Sequence, residues 1–175
     1  EADKVEEACK EIGERYGFVA PANYNAPGQI VIAGIAEAAE KASELCRQKG
    51  AKMAIKLNVA GPFHTALLKP ASDRLAVELE KMNVGKMNIP VITNVTGSEV
   101  ENSEKVISLL IKQVMSPVRW EQTIKTMVNN GVDTFIEVGP GKTLSGFVKR
   151  IAKGSVILNV EDMKSLEKTM EKLKG

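Results

Sequence analysis

The sequence predicts an α/β chain built in two parts, and two observations carry that prediction. Residues 1–58 follow the order helix, strand, strand, helix, strand, which is a split βαβ, ferredoxin-like unit lacking only its first strand. Residues 59–175 then alternate longer helices with short apolar strands, the arithmetic of an α/β layer.

Each element has its own signal. Ala2, Val5, Ala8, Cys9 and Ile12 recur at helical spacing, and Gly13 or Gly17 closes that first helix. Residues 18–24 and 29–33 read as two strands joined by the turn formers Asn25, Ala26, Pro27 and Gly28. Residues 35–49 form an Ala-rich amphipathic pattern closed by Gly50, and the alternation of residues 52–57 predicts a further strand. Beyond Asn58, strands are expected at 90–95, 134–138 and 155–160. Helices are expected at 67–82, 103–115, 117–129, 143–153 and 163–174, with Pro117 suited to a first helical turn. No repeat or flexible linker separates the two parts, so they are expected to pack as one body. The chain opens at Glu1, without Met, on residues that already read as helix; with the absent first strand, this predicts a beginning upstream.

Composition narrows the function classes. A chain of 175 residues, 43% hydrophobic and 26% charged, is ordinary globular material. The formal charge of +2 comes from Lys and Glu interleaved along helices, and aromatic residues are too sparse for base stacking, so a nucleic-acid partner is not expected. No apolar run approaches a membrane span and the start lacks a signal-peptide pattern, so no membrane is expected and the cytoplasm is the default location. Cys9 and Cys46 lie in helical patterns without metal-ligand spacing and read as reduced thiols.

Few motifs carry chemistry on their own. Gly139-Pro140-Gly141-Lys142-Thr143 follows a strand and opens a helix, superficially like a phosphate-binding loop. The spacing fails, because the position that needs the first glycine is Ile136. A tight strand-to-helix turn is the better reading, with helix N-terminal amides left able to face a ligand. The only histidine, His64, sits in Gly61-Pro62-Phe63-His64-Thr65 between a predicted strand and a helix, where Pro and Gly fix a bend that can present an imidazole. Residue type and position leave it evenly poised between a structural and a functional role. No Gly-x-Ser-x-Gly occurs, and Ser145, the nearest imitation, falls inside a predicted helix, so the chain offers no nucleophile for a histidine base to activate. The segment from Asn23 to Gln29 is explained by a plain hairpin.

Four strings together are more specific. Asn23 to Gln29 with Val31-Ile32-Ala33-Gly34, then Gly61-Pro62-Phe63-His64, then Ser116-Pro117-Val118-Arg119-Trp120, then Glu137-Val138-Gly139-Pro140-Gly141-Lys142 occur in the order and spacing of one family. Across nearly its whole length the chain resembles the malonyl-CoA:acyl carrier protein transacylases. The resemblance implies an α/β-hydrolase-like acyltransferase core, of which residues 59–175 are the C-terminal part, with residues 1–58 as the ferredoxin-like small subdomain. It implies an enzyme that moves malonyl from CoA to the phosphopantetheine thiol of acyl carrier protein in fatty acid biosynthesis, through a serine ester.

The resemblance also implies roles. His64 matches the histidine that takes the serine's proton and then protonates the departing CoA thiolate. Gln113 matches the residue whose backbone carbonyl orients that histidine, a task that a carboxylate performs in most serine triads. Phe63 resembles the Phe of malonyl-selective acyltransferases, narrowing the space beside the malonyl α-carbon, and Asn25 is placed in substrate binding. The serine elbow, the arginine that pairs with the malonyl carboxylate and a glutamine near the oxyanion hole all match positions upstream of Glu1. Arg15, Arg47, Arg74, Arg119 and Arg150 match none of them. No cofactor and no metal is implied. The implied partners are malonyl-CoA, acyl carrier protein and the N-terminal part of the same enzyme, with Lys49, Lys52 and Lys69 as candidates for docking the carrier. The alternatives are a polyketide-synthase-type acyltransferase for another acyl-CoA, and a non-catalytic binding or scaffold fragment.

Overall fold

A computed structural model describes residues 1–174; Gly175, the last residue of the predicted C-terminal part, lies outside the described residues. The first helix, α1 (Ala2–Tyr16), turns its Val5, Ala8, Cys9 and Ile12 face inward, as the spacing requires. Gly17 ends it at φ 97°, a left-handed backbone that suits glycine. β1 (Val19–Ala26) and β2 (Gln29–Gly34) pair antiparallel across a two-residue turn at Pro27-Gly28, with irregularities between Pro21 and Asn23 and between Tyr24 and Ala26. α2 (Ala36–Gln48) lays Ala38 and Ala42 against Cys9, Ile12 and Val19, and those small side chains let the two helices approach closely.

The close approach is sharpest at Gly34. A Cβ there would stand 2.6 Å from Val19 Cα and closer still to the Phe18 carbonyl oxygen, both of them backbone atoms that cannot move aside cheaply. Gly34→Ala is therefore expected to destabilise the fold by roughly 1–3 kcal/mol through overpacking. Urea unfolding of the purified protein measures it, and an unchanged midpoint would mean that the strand relaxes freely.

Residues 52–57 do not form the expected strand. The segment is held along α2 by side chains, Arg47 Nη2 donating to the Ala54 carbonyl at 2.6 Å and Lys56 Nζ to Glu40 at 2.5 Å, and it has no ladder partner among the described residues. Met53 and Ile55 are 76% and 72% exposed. Alternation gave the right pattern for one half-buried face, but a strand also needs a neighbour, and no described strand supplies it.

The second part begins with the loop at 58–65, a short 3₁₀ turn (Ala66–Leu68) and α3 (Lys69–Leu79), which together replace the single helix expected at 67–82. The strand expected at 90–95 reduces to an isolated bridge between Ile92 and Glu99, closed by Val100 N–H donating to the Val91 carbonyl at 2.8 Å. α4 (Glu104–Gln113) packs on α3, and α5 (Trp120–Asn129) follows. β3 (Thr134–Val138), α6 (Thr143–Ile151) and β4 (Val156–Val160) form a parallel βαβ unit in register from Thr134–Val156 to Val138–Val160. Ile124, Val148 and Ala152 make its core, with Trp120, Phe135 and Ile157 packed around them. α7 (Met163–Lys174) docks on β4, where Thr169 Oγ1 donates to the Asn159 carbonyl.

Pro117 does not open α5. Residues 117–119 are captured instead by β1 and by the loop at 94: Tyr24 N–H donates to the Val118 carbonyl, Val118 N–H to Ala22 and Arg119 N–H to Asn94, at 2.8, 2.8 and 2.9 Å. Three backbone bonds outweigh one helical turn. The two bonds made by Val118 also join the two parts, and Arg150 adds a clasp from α6 to Gln29 and to the Pro27 carbonyl at the hairpin turn.

Candidate active site

The site is built where a loop meets the end of a helix. The first is the loop carrying His64, the only non-glycine residue with positive φ among those described, at 61°. For an L-residue that conformation costs roughly 1–2 kcal/mol, so it persists where its surroundings fix it. Phe63 N–H donates to the Gly61 carbonyl at 2.9 Å and Thr65 Oγ1 to the Pro62 carbonyl at 2.7 Å, so the loop closes on itself on either side of the imidazole.

The second is the C-terminus of α4, whose last carbonyls lack helical partners. The Gln113 carbonyl would bond the N–H four residues on, but that residue is Pro117, which has none. Its remaining backbone donor, Ser116 N–H, lies at a long 3.5 Å. The His64 ring fills the vacancy, with Nδ1 3.1 Å from the Gln113 oxygen. Nearby, Ser72 Oγ, on a residue only 2% exposed, donates to the Ile111 carbonyl at 2.8 Å and ties α3 to the same helix end.

The chemistry of that contact fixes the imidazole. A carbonyl oxygen only accepts, so Nδ1 must carry the proton, and in the neutral ring Nε2 is then the bare nitrogen. The arrangement presents a base at Nε2, oriented by a neutral acceptor that adds no charge.

Phe63 is 53% exposed beside it. Asn25 lies on β1 at the irregularity before the hairpin turn and makes no hydrogen bond to the His64 loop among the described residues. The structure thus brings together His64 and Gln113, with Phe63 adjacent in the loop, and leaves Asn25 on a separate element. Of the lysines considered for docking, Lys49 is paired with Glu7 and Lys69 with Asp73, while Lys52 is exposed without an ion pair among the described residues.

The turn at 139–143 does not offer its helix N-terminus to a ligand. Glu137 accepts from the N–H groups of Leu144 at 3.1 Å and Ser145 at 2.7 Å, and Glu161 accepts from Gly141 N–H at 3.0 Å. Burial works to raise the Glu137 carboxyl, but the hydrogen bonds from Ser145 and Leu144 outweigh it and hold the group below the usual carboxylate range. The chain's own carboxylates occupy the donors that a phosphate would need. Ser145 Oγ is enclosed and unpartnered, not displayed on an elbow.

Cys9 and Cys46 are both free and buried. Burial pushes the Cys9 thiol up to about 12 and raises Cys46 as well, which suppresses the thiolate and leaves neither poised as a nucleophile. No cluster of metal-binding side chains occurs among the described residues, and no described helix is long and apolar enough to cross a membrane.

Sequence reasoning missed Thr65, Ser72 and Glu137. The signal that could have exposed the carbonyl at Gln113 is Pro117, four residues further on.

The chain is a member of the acyl transferase domain family, whose model matches residues 2–170. A malonyl CoA-acyl carrier protein transacylase of Bacillus subtilis (strain 168) is 40% identical over 174 residues, covering 99% of this chain and 55% of the relative. Among solved structures, the malonyl CoA-acyl carrier protein transacylase of Clostridium perfringens superposes with a TM-score of 0.94 at 48% identity, over 99% of this chain and 54% of that one. The malonyl-transacylase PlMCAT, solved in complex with the type II polyketide synthase acyl-carrier protein AntF, gives 0.92 at 40% identity, over 97% of this chain and 55% of that one. The chain spans about half the length of the curated relatives it matches.

Proposed function

We propose that the chain is the C-terminal part of a malonyl-CoA:acyl carrier protein transacylase, in which His64 is the general base and acid and a serine upstream is the nucleophile. Residues 1–58 are then the ferredoxin-like subdomain and residues 59–175 the C-terminal part of an α/β-hydrolase-like core. The observation that carries this reading is the contact of His64 Nδ1 with the Gln113 carbonyl, which leaves Nε2 bare.

In the first half-reaction Nε2 takes the serine proton as the hydroxyl oxygen attacks the malonyl thioester carbonyl. The tetrahedral intermediate collapses, the C–S bond breaks and the CoA thiolate takes the proton back from the imidazolium. The second half-reaction repeats these steps with the phosphopantetheine thiol of the carrier protein attacking the serine ester. Gln113 holds the ring through both. Phe63 narrows the site beside the malonyl α-carbon, and Asn25 contributes to substrate binding. The chemistry needs no cofactor or metal, since acid-base and covalent steps suffice.

Support for an N-terminal partner segment comes from apolar surface that a complete fold would cover. Met53 and Ile55 lack a neighbouring strand, and Val138, at the end of a two-stranded parallel sheet, is 78% exposed. Parallel sheets are normally buried on both faces. The PlMCAT relative supports a second reading of the pathway alone, with a polyketide carrier in place of a fatty acid one.

Intact mass after incubation with malonyl-CoA tests the proposal. The full-length enzyme should acquire one malonyl ester and lose it to added carrier protein, while the 175-residue chain by itself acquires none. A stable stoichiometric ester on this chain would refute the upstream nucleophile.

A further inference from the structure

We infer that Thr65 is a positioning residue for His64: its buried hydroxyl holds the left-handed turn that aims the imidazole at the Gln113 carbonyl. This rests on the reading of His64 given above and adds a residue to it. Thr65 stands at the N-cap of the 3₁₀ turn Ala66–Leu68, where a Thr hydroxyl ordinarily accepts from the helix N–H groups. Here it makes no such bond. It turns back and donates to the Pro62 carbonyl at 2.7 Å, closing a loop around Phe63 and His64.

Thr65 is 2% exposed, so the donated bond is shielded from competing water. Its own backbone is extended, at φ −131° and ψ 163°, and the preceding His64 sits at φ 61°. The reversal of backbone hand between these neighbours is bridged by the single side-chain bond. Without it, nothing else among the described hydrogen bonds spans residue 64 on its C-terminal side back to Pro62. His64 is then free to relax toward an ordinary φ, which swings the ring and its Nδ1 away from an acceptor fixed on α4.

Two readouts separate positioning from simple stability. The first is the tautomer. In the full-length enzyme, nitrogen-detected NMR identifies the His64 imidazole as the ring whose signals are lost in His64→Ala. The wild-type full-length enzyme is expected to show a protonated Nδ1 and a bare Nε2 at His64, and Thr65→Val should shift the population toward the Nε2–H form that an unconstrained histidine prefers. Thr65→Ser, which keeps the donor, should restore the wild-type pattern. The second is kinetics in the full-length enzyme. Thr65→Val is expected to lower kcat roughly 10- to 100-fold with little change in KM for malonyl-CoA, since misplacement of a catalytic group costs about that much.

Thr65→Ala, which leaves more room beside the Pro62 carbonyl, serves as the second variant. Wild-type tautomer and rates in Thr65→Val or Thr65→Ala overturn the inference, and so does failure of both variants to fold while Thr65→Ser folds, because the hydroxyl would then hold the fold and not the ring. The outcome is distinguishable from failure of the underlying reading. If His64→Ala is inactive while Thr65→Val is normal, only the role of Thr65 falls; if His64→Ala is fully active, the assignment of His64 falls with it.

Discussion

His64→Ala in the full-length enzyme is expected to slow both formation of the malonyl-serine ester and its transfer to the carrier thiol, each by about 10²–10⁴-fold. On the proposed reading one imidazole serves as base in one direction and acid in the other, so its removal should spare neither half-reaction. The fold should survive, because His64 lies in a loop, its ring makes a single hydrogen bond to protein, and it belongs to neither hydrophobic cluster. Removing the side chain also relieves none of the positive φ at this position, so a small loss of stability is compatible with the account. Stopped-flow acylation and quench-flow transfer, with circular dichroism as a folding control, read these quantities.

Phe63→Ser should relax discrimination against methylmalonyl-CoA. The ring is half exposed at the mouth of the His64 loop, where it contributes little to the core and is free to shape bound substrate. One methyl group accommodated or excluded by an apolar wall is worth roughly 1–3 kcal/mol, or about 10- to 200-fold in the ratio of specificity constants. The ratio for the two acyl-CoAs, compared between wild type and Phe63→Ser, measures the effect. An unchanged ratio would reduce Phe63 to packing.

Much of the fold was legible because the strongest signals are local. The strands expected at 134–138 and 155–160 form at Thr134–Val138 and Val156–Val160, α1 and α2 follow their periodicity and glycine stops closely, and α6 and α7 fall where helices were expected at 143–153 and 163–174. What failed depends on partners. Residues 52–57 alternate correctly but find no neighbouring strand, and Ile92 keeps only one bridge of the strand expected around it. At Pro117 a favourable helical start lost to tertiary pairing, since Ala22 and Tyr24 take the backbone of Val118.

The site divides along the same line. A histidine in a Pro- and Gly-bounded loop announces itself by residue type, but a backbone carbonyl has no side-chain signature, and Gln113 entered by resemblance alone. The physical reason it is available, a proline four residues on, is in the sequence but gains meaning only once α4 is known to end there. Spacing had already excluded a phosphate loop, but the expectation that its helix N-terminal amides could face a ligand failed for a related reason: Glu137 and Glu161 cap those amides, and which carboxylate reaches which N–H is a matter of packing.

The central claim is that His64 does the proton transfer and Gln113 serves it through the backbone. Single-turnover rates of both half-reactions in His64→Ala and Gln113→Ala, made in the same full-length enzyme, test it most directly. Gln113→Ala leaves the carbonyl in place and is predicted to stay within about tenfold of wild type, while His64→Ala loses about 10²–10⁴-fold in both steps. A folded His64→Ala enzyme with wild-type rates in both half-reactions would contradict the account.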